Sequence, residues 1–159
     1  MAGDHDDKMN RNVSRASQKA ALALLRNMSI WKSLSILANH VSEPVPIGSD
    51  SIDLCRSLVD EKRPSMQNEP LNTQVAQNAI HQLMPRLMRQ VNFHFYKQSK
   101  TYFQWGSESA AVRKAVVYAL VVLYTARREI VDPYLSNATQ TNRRLFDLYL
   151  QKALKNSSQ

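Results

Sequence analysis

Cysteine is nearly absent from this 159-residue chain. Cys55 stands alone, which excludes an internal disulfide and any zinc centre built on cysteine pairs. Glycine is almost as scarce, at three residues. That is too few for the dense turns of a β-sandwich, and it leaves little from which to build a phosphate-cradling loop. Long apolar runs are missing too. The longest, Ala115 to Tyr124, is about half the roughly 20 residues that a membrane span requires. The first residues, MAGDHDDKMN, are polar and acidic, unlike a secretory signal. These absences predict a soluble, intracellular protein, and the length suits one domain with one core.

Acidic residues are missing from two long stretches. Residues 8–42 hold Lys8, Arg11, Arg15, Lys19, Arg26 and Lys32 with no Asp or Glu, and residues 70–107 hold Arg86, Arg89, Lys97 and Lys100 with none. The chain carries a net charge of +8. Asp4, Asp6 and Asp7 outnumber Lys8 in the first ten residues, so the remainder is more basic still. A surface of this sign attracts acidic partners: nucleic acid, anionic lipid or an acidic protein such as tubulin. It also serves simply to keep a solvated face soluble.

What is present is helical spacing. Residues 1–12 read as a disordered lead, 13–156 as one helical-repeat domain, and 157–159 as a tail. Segment 14–27 aligns Ala20, Ala21, Leu24 and Met28, with Leu25 adjacent. Segment 29–41 aligns Ile30, Leu34, Leu37 and Val41, with Ser29 as an N-cap. Segment 51–61 aligns Ile52, Cys55, Leu58 and Val59. Segment 72–92, capped by Asn72 or Thr73, aligns Ala76, Ile80, Leu83, Leu87 and Val91, and Pro85 should kink it. Segment 108–126 is apolar nearly all round, so neighbours must cover most of it. Segment 128–137 carries Ile130, Val131 and Leu135, and segment 140–155 turns Leu145, Leu148 and Tyr149 inward. Linkers are expected at 43–50, 62–72 and 97–107. The expected fold is all-α: an α-solenoid of HEAT or armadillo-type antiparallel helix pairs, about seven helices in all.

Catalytic patterns are not found. No two of His5, His40, His81 and His94 share metal-ligand spacing on one helix face. The chain lacks HExxH and GxSxG. Cys55 falls on an inward stripe, where a thiol packs rather than reacts. Neither an enzyme nor a cofactor is expected.

Residues 107–156 resemble the C-terminal helical repeats of the CLASP family, the cytoplasmic linker-associated proteins. The resemblance is carried by Ser107–Ser109, then Val112–Ala115, the apolar run to Tyr124, the turn Ile130–Leu135, and Leu145–Ala153. The Pro-containing stretch Leu83-Met84-Pro85-Arg86-Leu87-Met88 is also similar to a repeat helix of that family, and a weaker match reaches back to about Gln18. The resemblance implies a HEAT- or TOG-like module that works by docking partners rather than by chemistry. Those partners would be microtubule plus-end, kinetochore or cortical adaptor proteins, in support of plus-end and spindle organisation.

On that reading, a groove between helix pairs accepts an acidic amphipathic segment. Arg86, Arg89, Lys114, Arg127, Arg128, Arg143 and Arg144 steer and hold it. Some arginines at helix starts must instead bridge repeats, Arg113 foremost. The stretch 93–105 offers Lys97, Lys100, Tyr102 and Trp105 as a basic-aromatic loop of the kind found at binding hot spots, or as packing for the next helix pair. Direct binding to the acidic microtubule lattice is a second expectation, and microtubule co-sedimentation separates it from docking. Helical nucleic-acid binding is a third, unaccompanied by any recognised module.

Overall fold

The computed structural model describes residues 3–44, 46–100 and 106–158, with side chains described throughout these except at 3–7, 10, 11, 14 and 92–109. Among the described residues there are eight helices and no strands: α1 (Gly3–Arg26), α2 (Ile30–Ala38), α3 (Ile47–Glu61), α4 (Arg63–Asn68), α5 (Gln74–Lys100), α6 (Gly106–Ala126), α7 (Arg128–Leu135) and α8 (Gln140–Ser157). The all-α expectation is met.

Helix starts follow local chemistry. The Ser29 side chain accepts from the Lys32 amide at the head of α2. Thr73 does the same for Ala76 ahead of α5, and Thr139 for Asn142 ahead of α8. Each satisfies an amide that the first helical turn leaves without a backbone partner. Helix α5 runs on through Pro85. Proline has no N–H, so the His81 carbonyl loses its intrahelical donor.

Helices alternate between two layers. One layer stacks α1 on α3, α3 on α6 and α6 on α8, and the other stacks α2 on α5 and α5 on α7. Cross-layer contacts join α1 to α2, α2 to α3, α5 to α6 and α6 to α7. The chain thus crosses between layers at nearly every turn, which is the winding of a solenoid-like stack. Helix α6 lies at its centre, against α3, α4, α5, α7 and α8. Val112, Val116, Val117, Ala119, Leu120, Val121 and Leu123 are all buried, as a helix apolar nearly all round demands. The expected inward stripes of α2, α3 and α7 are buried as well, and in α5 only Ile80 is less than fully covered.

The backbone is helical from Gly3, within the stretch read as a lead. Three expectations need correction. Helix α1 carries two apolar stripes, and the one that packs contains Leu25, Leu22 and Met28, while Leu24 is 72% exposed. In α8, Phe146 is buried and edge-on to Tyr124 at 5.4 Å, whereas Leu148 is exposed. The linker at 62–72 contains α4, which begins with Pro64 in its first turn, where a missing N–H costs nothing.

Side chains tether α4 and its flanks on both sides. Trp31 Nε1 donates to the Glu69 carboxylate at 2.6 Å, Lys62 Nζ donates to the Met28 carbonyl, and Arg26 pairs with Glu61 at 2.8 Å. From the opposite side, Arg63 donates to Thr125 Oγ1 at 2.8 Å. Arg127 completes the clasp, as described below.

Cys55 is fully enclosed in α3. Burial pushes its thiol up from 9.0 to about 12, because a thiolate there would be stripped of water. The native protein should therefore leave Cys55 unmodified by a disulfide reagent at pH 8, with one equivalent reacting after denaturation. Because the folded state disfavours the thiolate, this residue's stabilising contribution is complete below about pH 9 and declines as pH rises toward 12.

Candidate interaction surface

The α3–α6–α8 layer presents a basic and aromatic strip. On α6, Ala111, Lys114, Ala115 and Tyr118 recur at helical spacing and face Asp53 and Arg56 of α3. The two alanines are small, so a cleft of about 290 Å³ opens between the helices. Asp53 sits half-buried in it, 3.9 Å from Arg56. Burial raises the Asp53 carboxyl above its ordinary range, Arg56 opposes that, and Asp50 adds to it.

From this cleft the strip crosses to α8. Tyr118 meets Tyr149 edge to face, with ring centroids 4.8 Å apart and planes at 76°. Lys114 Nζ lies 5.8 Å from the Tyr118 centroid and Lys152 Nζ 5.4 Å from the Tyr149 centroid. The result is a ladder of cation, ring, ring and cation, each step within reach of the attraction between a positive charge and an aromatic face. Arg144, Leu148, Lys152 and Lys155 recur at steps of four, four and three along α8, and all are exposed. These rings and cations, around an exposed leucine, make a surface able to grip an acidic segment with an apolar side.

Of the residues expected to bind, Lys114 stands in this ladder and Arg144 in the row beside it. The others are dispersed. Arg143 is paired with Asp147 at 3.4 Å on another flank of α8. Arg86 donates to its own helix at the Gln82 carbonyl, and Arg89 is exposed on the same helix. Both belong to the opposite layer. Lys97 and Lys100 lie in the last turns of α5, their side chains outside the described residues, and Tyr102 and Trp105 lie outside the described residues altogether. Arg128 is exposed, bonded to Asp132 at 2.7 Å and stacked 5.7 Å from the Tyr124 centroid.

Arg127 faces inward. One of its terminal nitrogens donates to the carbonyls of Met66, Gln67 and Glu69 at 2.7, 3.2 and 2.8 Å. This closes the C-terminal end of α4 from the α6–α7 junction. Arg127 thus bridges elements in the way expected of Arg113, and its guanidinium serves the frame.

Tyr118, Tyr149, Lys152 and Arg56 were not anticipated as surface groups. Their residue types read as core stripe and ordinary polar face. Only the packing of α6 on α8 brings the two tyrosines, 31 positions apart, into contact. One signal was available: Lys114 and Lys152 each sit three or four residues from a tyrosine on the same helix.

Fold and surface together define an all-α, solenoid-like protein with a cationic-aromatic strip. The chain is 21% identical over 155 residues, 97% of its length, to CLIP-associating protein 1-A of Xenopus laevis. It matches CLIP-associating protein 1-B of the same frog to the same extent. It spans 9% of the length of each of these relatives. The similarity covers nearly the whole chain and so extends beyond residues 107–156. No protein-family model matches the chain, and no solved structure matches it.

Proposed function

We propose that this chain is a CLASP-like, microtubule-associated docking module that acts by binding. The observation carrying this reading is the Lys114–Tyr118–Tyr149–Lys152 ladder, a ready-made grip for an acidic segment. The distant similarity to proteins named for association with CLIP supports it. On this reading the partner is a CLIP-type linker protein or another plus-end, kinetochore or cortical adaptor. The adaptor approaches along the α6–α8 strip, steered by Arg144 and Lys155 and seated on Leu148 and the tyrosines. The site of action is the cytoskeleton, at microtubule ends and the spindle.

The test is titration calorimetry against a purified CLIP-type linker protein. Lys114→Glu/Lys152→Glu should weaken binding by about tenfold or more, as expected when rows of complementary charge are reversed. The melting temperature should hardly move, since both lysines are exposed. Wild-type affinity should fall as salt rises from 50 to 300 mM, roughly the range over which screening shortens to a few ångströms. Unchanged affinity in the charge-reversed protein removes the ladder from the interface.

The net charge of +8 supports a second reading, direct contact with the acidic microtubule lattice. Co-sedimentation decides between them. A salt-sensitive pellet fraction of the isolated chain supports lattice binding, and a clean supernatant leaves docking alone.

A further inference from the structure

The ladder lies on α6 and α8, but a second unpartnered face lies at the other end of the stack. Helix α1 closes one end of its layer, with α3 on one side only. Its packed face holds Leu22, Leu25 and Met28. On its opposite side, Met9, Val13, Ala16, Ala20 and Leu24 recur at steps of four, three, four and four. All five are exposed, Met9 at 64%, Val13 at 60% and Leu24 at 72%. That is a continuous apolar seam some four turns long, open to solvent.

A row of cations runs along one flank of this seam. Lys8, Arg15, Lys19 and Arg26 recur at steps of seven, four and seven, about 100° round the helix axis from the seam's centre. Arg26 is engaged by Glu61. Lys8, Arg15 and Lys19 are exposed and pair with no acid among the described residues.

We infer that α1 is a docking helix for an acidic amphipathic helix of another protein, apolar along one side and lined with Asp or Glu beside it. Three observations select this occupant. The cations call for a partner of opposite charge. A second copy of α1 carries acids only at its start, at Asp4, Asp6 and Asp7, and none through residues 8–42 to meet a cation row that extends to Arg26. The centre of the seam is Ala16 and Ala20, small enough for a helix backbone to approach closely, whereas helices that lie in a bilayer surface present Trp, Phe and Leu. The inference shares with the docking reading only its acidic partner, and it places a second contact at the far end of the stack.

The test uses the full chain and two fluorescein-labelled synthetic helices of about 21 residues, long enough for six turns. Both carry a Leu/Ala seam. One is flanked by Glu at steps of seven and four, the other by Lys at the same positions. The Glu helix should raise fluorescence anisotropy on adding protein, and the Lys helix should not. Arg15→Glu/Lys19→Glu should weaken the Glu helix by about tenfold and gain binding to the Lys helix, with an unchanged circular-dichroism melt. Leu24→Glu should weaken it as well, and the comparison is made in the Lys114→Glu/Lys152→Glu background, where the ladder no longer competes for an acidic helix and α1 should still bind it.

The inference is overturned if the Glu helix fails to bind the Lys114→Glu/Lys152→Glu protein, or if adding Arg15→Glu/Lys19→Glu to that protein leaves the binding unchanged. Loss of binding only in the Lys114→Glu/Lys152→Glu protein would remove α1 and leave the ladder reading standing. Sedimentation showing a dimer that Leu24→Glu dissociates would assign the seam to a second copy instead. Phosphatidylserine vesicles that capture wild type but not Arg15→Glu/Lys19→Glu would assign it to a membrane.

Discussion

Arg127→Ala should lower stability by about 3 kcal/mol, read as a fall of roughly 6–12 °C in melting temperature for a domain this size. Three carbonyls at the end of α4 lose their donor together. Hydrogen bonds to a charged donor contribute about 1.5–3 kcal/mol each, but three acceptors share the two protons of a single nitrogen, so the sum falls well short of three full bonds. The Arg127 side chain is only 15% exposed, so water cannot readily replace it. Its ion pair with Glu129 at 3.5 Å adds little, because Glu129 is 67% exposed. Arg127→Lys should recover about half of the loss, since an ammonium keeps the charge but not the planar fork. A denaturant titration in which Arg127→Ala unfolds at the wild-type midpoint would show that α4 stands without it.

Arg128→Ala is the matched control. Its guanidinium is exposed and pairs along its own helix with Asp132, so the melt should scarcely change. Adjacent arginines thus have opposite fates, and nothing in Ala126-Arg127-Arg128-Glu129 announces which is which. Arg127 lies between α6 and α7 with φ −148° and ψ 93°, an extended residue that turns its side chain toward a segment some 60 positions earlier. Spacing within a helix carries information about faces of that helix. It carries none about a cation leaving a junction to cap a distant six-residue helix.

The same distinction separates what was legible in the fold from what was not. Helix α6 was read correctly because Ala115 to Tyr124 leaves no polar face, and burial on most sides is the only stable outcome. The stripes of α2 and α3 were legible because each has a single apolar side. Helix α1 has two, and the periodicity of Ala16, Ala20 and Leu24 is as regular as that of Leu22 and Leu25. Which one packs depends on where α2 and α3 sit. Ser33 records the outcome: it is buried, and its hydroxyl donates to the Leu25 carbonyl at 3.0 Å, which turns that side of α1 toward α2. The ladder was hidden for a related reason. Tyrosine suits a core and an interface equally, and only the α6–α8 packing decides that Tyr118 and Tyr149 meet at the surface.

Gly48→Ala should destabilise the protein by about 2–3 kcal/mol, at the upper end of what overpacking costs. The segment Glu43–Asp50 reads as a Pro- and Gly-bearing linker, with nothing to mark Gly48 as more than a turn residue. In the structure Gly48 is buried in the first turn of α3. A Cβ there would sit 2.1 Å from the Glu43 carbonyl oxygen and 3.1 Å from that of Val41. Both obstacles are backbone, so no side-chain rotation relieves them. The Gly48 amide also donates to the Pro44 carbonyl at 3.2 Å, which holds the turn against the helix. Two effects compete. Alanine is a better helix residue than glycine by about 1 kcal/mol, which would favour the substitution in an open helix. A carbonyl at 2.1 Å lies far inside contact distance, so the turn or the start of α3 must move, and the steric term wins. The damage should be local in origin but global in effect, because α3 packs on α1, α2 and α6. Ser49→Ala, which removes only an exposed hydroxyl bonded to the Pro46 carbonyl, should stay close to wild type. A Gly48→Ala protein that melts at or above the wild-type temperature would mean that the turn yields freely and that this close approach does not constrain the register of α3.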